Sequence, residues 1–130
     1  SAASDVYKRQ TVDSSLADEA YCYLTTTGRR TGRPHTIEIW FGLRADTLYM
    51  LSGGGDRSDW VKNLRKTPAV SVRIKDQTFH GRARDLNDPS EDELARDMLV
   101  EKYQPGSDDD LADWRRRALP VAVDLTRAED

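Results

Sequence analysis

Two short loops carry the residue types and spacings that could do chemistry. The first, Gly28-Arg29-Arg30-Thr31-Gly32-Arg33-Pro34-His35, is a tight turn with three guanidiniums and an imidazole projecting from adjacent strand ends. Such a cluster suits a phosphate, because arginine offers planar paired donors and turn amides add more. A solvated hairpin turn would have the same composition, so this loop alone does not decide between the two. The second loop is Ser52-Gly53-Gly54-Gly55-Asp56-Arg57-Ser58, leading into Asp59-Trp60-Val61-Lys62-Asn63-Leu64. Its glycines let the backbone approach a ligand closely, the helix that follows points free amides at an anion, and Trp60 and Asn63 fall near one another on one helical face. Taken singly, Trp60 reads as core and Asn63 as helix surface. One redox cofactor spanning both loops would explain them together.

Other chemistries lose support. The chain has no Walker loop, dinucleotide fingerprint, nucleophile elbow, HExxH or EF-hand pattern, which argues against phosphotransfer, Rossmann-type redox chemistry, serine hydrolysis and metal hydrolysis. Cys22 is the single cysteine and there are two histidines, so no set is spaced for structural zinc and no internal disulfide can form. The expectation is no metal and a reducing, cytoplasmic setting. No apolar run approaches the roughly twenty residues needed to cross a bilayer, so neither membrane insertion nor export is expected.

The net charge of −3 argues against general nucleic-acid binding, which needs a basic surface. Its distribution is more informative. Residues 28–66 carry eight Lys/Arg against four Asp/Glu, whereas residues 85–130 carry six against fourteen. The basic stretch is where an anionic ligand should sit, although solvated faces of opposite sign would give the same asymmetry.

The elements that must position these loops follow from periodicity. Residues 1–13 show no pattern and read as a flexible tail, which leaves 14–130 as one domain. The run YCYLTTT predicts a strand over 21–27 that stops at the basic turn. HTIEIWFGL alternates Ile37, Ile39, Phe41 and Leu43 against Thr36, Glu38 and Trp40, and TLYMLS follows as the second arm of a hairpin. Ser58 is placed to cap the helix SDWVKNLRK, which Pro68 closes. Two more alternating runs, around Val70–Ile74 and Gln77–Leu86, predict a second hairpin. Asp88-Pro89-Ser90-Glu91 reads as a helix start with a capping box, and Leu94, Ala95, Met98, Leu99 and Tyr103 make its apolar stripe. A shorter helix runs from the acids at 108–110 to the arginines at 115–117, the order the helix dipole favours. Pro120 stops it before a last strand through Val121, Val123 and Leu125. About six strands in hairpins with short interposed helices give a mostly antiparallel α+β domain, which would do best to curl into a barrel that hides its edges.

TTTGRRTGRP, then an alternating strand pair, then SGGG..SDWVKNL with P.V.V.I after it, resembles the deazaflavin (coenzyme F420)-dependent nitroreductase and quinone reductase family. The resemblance runs from about Leu24 to Leu125. It implies the split β-barrel related to pyridoxine-phosphate oxidases, and an enzyme that passes a hydride from reduced F420 to a quinone, nitro or activated enone acceptor. In that family the strand-turn basic residues hold the cofactor phosphate and polyglutamate tail, which carries over to Arg29, Arg30, Thr31, Gly32 and, with a substitution, His35. The loop residues flank the ring system, giving Ser52, Gly53 and Gly54, and the helix residues Trp60 and Asn63 support it. Nitroreductase members usually have Lys in the glycine loop and Arg where His35 stands, so two positive charges are weakened, and Arg57 could replace one. Members also present a run of tyrosines over the substrate pocket, of which Tyr103 remains. The resemblance thus makes Ser52 and Tyr103 the candidate catalytic hydroxyls, either of which could steady charge developing on the acceptor. Fifteen Arg against five Lys is consistent with a GC-rich actinobacterial genome of the kind that encodes this family. Two alternatives stand beside this reading: an FMN-dependent enzyme of the same fold, and a binding module without turnover. The partner expected is a small-molecule hydride acceptor, and a homodimer is left open.

Overall fold

In the computed structural model, which describes residues 12–127, each alternating run becomes a strand and all strands join one sheet. They are β1 (Cys22–Thr27), β2 (Pro34–Ile39), β3 (Gly42–Arg44), β4 (Thr47–Ser52), β5 (Ala69–Ile74), β6 (Gln77–Asp85) and β7 (Leu119–Arg127). Their order across the sheet is β2-β1-β5-β6-β7-β4-β3, with every neighbouring pair antiparallel. Helix α1 (Asp59–Lys66) follows the glycine loop, α2 (Pro89–Tyr103) follows β6, and α3 (Ala112–Arg117) precedes β7.

The sheet order shows why this is a curled sheet. β2 and β3 are its two opposite edges, yet only Trp40 and Phe41 separate them in the chain. Three Cα–Cα steps reach at most about 11 Å. The edges must therefore come round towards one another, which produces the mostly antiparallel half-barrel of an α+β domain.

Seven strands form where six are expected. HTIEIWFGL reads as one alternating strand, but it breaks at Trp40-Phe41 because α2 supplies partners for the backbone there. Phe41 N–H donates to the Tyr103 hydroxyl at 3.0 Å, and its carbonyl accepts from Lys102 Nζ at 3.0 Å. With those groups satisfied by side chains, no neighbouring strand is needed.

The main core lies inside the curl, with Leu24, Phe41, Met50, Val72, Phe79 and Val123 at its centre and Val61 and Leu64 of α1 closing it. A second cluster packs Ala95 and Leu99 of α2 on Tyr49, Leu51 and Ala122 outside the sheet. Val12, which the periodicity leaves in the tail, is buried in the main core, and its N–H donates to Asp46 Oδ1 at 2.9 Å. Residues 1–11 of that segment lie outside the described residues, as do 128–130.

Two capping expectations are corrected. Asp88 does cap α2, accepting from Ser90 N–H at 2.9 Å, but Glu91 does not close a capping box. Its carboxylate instead takes paired bonds from Arg84, both at 2.7 Å, and one from Tyr49 at 2.6 Å, a stronger charge-assisted set. Ser58 stands at the N-cap of α1 with no side-chain bond to the helix, because its hydroxyl pairs with Ser52 Oγ at 2.8 Å.

Candidate functional site

The basic turn joins β1 to β2 and is closed by its own backbone. Gly28 N–H donates to Arg33 O at 2.7 Å and Gly32 N–H to Gly28 O at 2.8 Å. Gly32 sits at φ 74°, the left-handed region that favours glycine. Gly28 leaves room for a neighbour: a Cβ there would come within 2.6 Å of His35 Nε2, so any side chain would displace the imidazole. The turn therefore places the imidazole directly over its own backbone.

Helix α1 fastens this turn. Asn63 is 4% exposed, and its Oδ1 accepts from Arg29 N–H at 3.1 Å and Arg29 Nη1 at 3.0 Å, while Nδ2 donates to Thr26 Oγ1 at 3.2 Å. Arg29 Nη2 also reaches Asp59 at 3.0 Å, and Lys66 Nζ donates to Arg29 O at 2.8 Å. Arg29 is thus a clamp between turn and helix. Arg30 projects from the same turn and makes no side-chain hydrogen bond or ion pair among the described residues, nor does His35.

Between turn and helix lies an open cavity of about 660 Å³. Its walls include Arg29, Arg30, Thr31, His35, Trp60 and Asn63, so six of the candidate cofactor residues meet there. A second hollow of about 540 Å³ adjoins it, with Ser58 common to both, and is lined by Gly53, Gly54, Arg57 and Arg117. Gly32 stays at the tip of the turn, outside both linings. Ser52 lies beneath the glycine loop at 1% exposed, donating to Gly55 O at 2.9 Å. Its hydroxyl ties the loop down and is not presented to either hollow.

Tyr103 is elsewhere. Its ring stacks on Trp40 at 4.2 Å, and besides accepting from Phe41 N–H its hydroxyl lies 2.9 Å from Ala20 O. Burial pushes its pKa up to about 12. Beside it, burial lowers that of Lys102 to about 8. Trp114 meets Trp40 edge-on at 5.6 Å, and the two bound a further pocket of about 580 Å³ with Ile39, Leu51 and several carboxylates. Sequence reasoning missed Arg117, Trp114 and Asp59 as parts of these walls. Asp59 alone carried a signal, as the first residue of a helix that starts at the glycine loop.

With the geometry in hand, similarity to known proteins is informative. A family model described as F420H(2)-dependent quinone reductase matches residues 3–126. Among solved structures, an F420-H2 dependent reductase is 25% identical, covers 82% of this chain and 93% of its own, and has a TM-score of 0.63. A candidate 5-nitroimidazole antibiotic resistance protein from Bacteroides thetaiotaomicron is 17% identical over 88% of this chain and 83% of its own, with a TM-score of 0.67. A domain-swapped dimer is 22% identical over 95% of this chain and 94% of its own, with a TM-score of 0.66. At such identities the last two show the fold alone.

Proposed function

This chain belongs to the F420H(2)-dependent quinone reductase family, and from that premise we propose that it passes a hydride from reduced F420 to a quinone or a similarly conjugated acceptor. It is an F420-dependent oxidoreductase. The observation that carries the assignment of residues is the pair of hollows sharing Ser58, lined by Arg30, Arg57 and His35, whose side chains have no hydrogen-bond or ion-pair partner among the described residues, together with Arg117.

These residues fit an elongated anionic cofactor. Arg30, Thr31 and His35 would hold its phosphate-bearing tail, since unpaired guanidiniums beside turn amides are strong phosphate partners. Gly53 and Gly54 would let the backbone lie against the ring system, with Arg57 and Arg117 answering its remaining negative charge. Trp60 walls the cavity, and Asn63 keeps the turn in register through Arg29. When bound, the cofactor supplies two electrons and one hydrogen as hydride, and the acceptor takes one further proton from solvent. The chain's contribution is to hold donor and acceptor in register and to exclude water. Ser52 and Tyr103 serve this as positioning residues: the first anchors the glycine loop, the second fixes the break at Phe41.

Anaerobic mixing with reduced F420 and 2-methyl-1,4-naphthoquinone tests the reading. Hydroquinone and oxidised deazaflavin should appear in equal amounts. Absence of turnover with reduced F420 alongside turnover with reduced FMN would overturn it. The fold likeness to a domain-swapped dimer supports a homodimer, for which the open edge of β2 offers unpaired backbone groups. Light scattering on the eluting protein reads its mass directly.

A further inference from the structure

The pocket between Trp40 and Trp114 lies beside the cofactor hollows but carries the opposite charge. Ile37 lines the large basic cavity, and Ile39, two residues further along the same face of β2, lines the aromatic pocket. Successive same-face positions in a strand are separated by about 6.6 Å. On the other side, a Cβ at Gly53 would lie 3.8 Å from Trp114 Nε1, so the indole stands against the glycine loop itself. An acceptor held between these walls would be next to any ring bound at Gly53 and Gly54.

Among the described residues no lysine or arginine lines this pocket, whereas Glu38, Asp109, Asp110 and Asp113 do. Asp113 is paired with Arg116, and Glu38 accepts from the Tyr23 hydroxyl at 2.9 Å. Asp109 and Asp110 have no ion-pair partner among the described residues; Asp110 accepts only from the Ala112 backbone N–H, at 3.0 Å. Lys102 lines the neighbouring hollow, with its ammonium bonded to Phe41 O and set over the Phe41 ring at 3.7 Å. Two indoles in the walls, Trp40 covered on one side by Tyr103, and two carboxylates without ion-pair partners among the described residues favour positive charge there, through the ring quadrupoles and chiefly through Coulomb attraction.

We propose that this pocket is the acceptor site and that it prefers a planar acceptor bearing positive charge to a neutral or anionic one with the same ring. The proposal rests on the functional reading above for the word acceptor, but not for the charge preference.

Three naphthoquinones with a trimethylammoniomethyl, methyl or sulfonatomethyl group at the 2-position keep the ring and vary the charge. Their affinities for the whole protein, with and without F420, are read by titration calorimetry. The cation should bind about tenfold or more tightly than the sulfonate, a difference of about 1.4 kcal/mol. Asp109→Asn with Asp110→Asn should close most of that gap, and Trp114→Ala should weaken all three by a similar factor. Equal or tighter sulfonate binding, a gap that persists in the double variant, or indifference to Trp114→Ala would each overturn the proposal. F420 titrated into the same protein separates the two readings. If it fails to bind while the cation preference and its loss in the double variant persist, the functional reading falls and the cation-selective pocket stands.

Discussion

Asn63 Oδ1 accepts hydrogen bonds from both the backbone N–H and the guanidinium of Arg29, at 3.1 and 3.0 Å, across 34 residues of sequence. One buried amide thereby joins β1, the basic turn and α1. It also distinguishes two adjacent arginines, since Arg29 is engaged with the protein while the Arg30 side chain has no partner among the described residues.

Removing the joint should therefore cost stability before it costs chemistry. Asn63→Ala leaves the Arg29 N–H without its acceptor in a largely buried place, and such a loss is worth about 1 to 3 kcal/mol. Urea unfolding should show that loss. Arg29→Ala should lose less, because its side chain is 23% exposed and its bond to Asp59 is screened. Wild-type stability in Asn63→Ala would show that the amide is not the joint.

Tyr103→Phe distinguishes a positioning hydroxyl from a catalytic one. The variant keeps the stack on Trp40 but strands Phe41 N–H and Ala20 O. Stability should fall by about 1 to 3 kcal/mol, and KM for the acceptor should rise with kcat nearly kept. A large drop in kcat at unchanged stability would return Tyr103 to a catalytic role.

The Glu91 carboxylate is held down to about 2, first by its bonds from Arg84 and then by the Tyr49 hydroxyl. Because the folded value lies below the ordinary 4.5, the stabilisation is present above that pH and is lost as pH falls towards 2. Unfolding midpoints should decline through this window in the parent and more shallowly in Glu91→Gln, which starts lower. Parallel pH profiles for the two proteins would refute the assignment.

Cys22 is fully buried, and burial pushes its thiol up to about 12. A thiol reagent at neutral pH should leave it unmodified in the folded protein and label it fully in denaturant. Rapid labelling of the folded protein would mean that β1 opens locally.

What could be read from the sequence was local. GRRTGRP and SGGG announce themselves by composition, because turns and close backbone approaches demand particular residues wherever they occur. The partners of Asn63 were not legible, since Thr26 and Arg29 lie 37 and 34 residues away and nothing in the spacing couples them. The break at Trp40-Phe41 was hidden for a similar reason: alternation continues straight through it, and the groups that permit the break come from Lys102 and Tyr103 on α2. Glu91 looked like a capping residue until the fold brought Arg84 within 2.7 Å.

The central claim is that the unpaired Arg30 anchors F420 in the basic cavity, and parallel fluorescence titrations of the parent and Arg30→Ala with F420 and with FMN test it most directly. A charge-assisted contact is worth about 1.5 to 3 kcal/mol. The parent should prefer F420 to FMN by about tenfold or more, and Arg30→Ala should weaken F420 binding about tenfold at unchanged melting temperature. Equal or tighter binding of FMN by the parent, or parental affinity for F420 in the variant, would contradict the account.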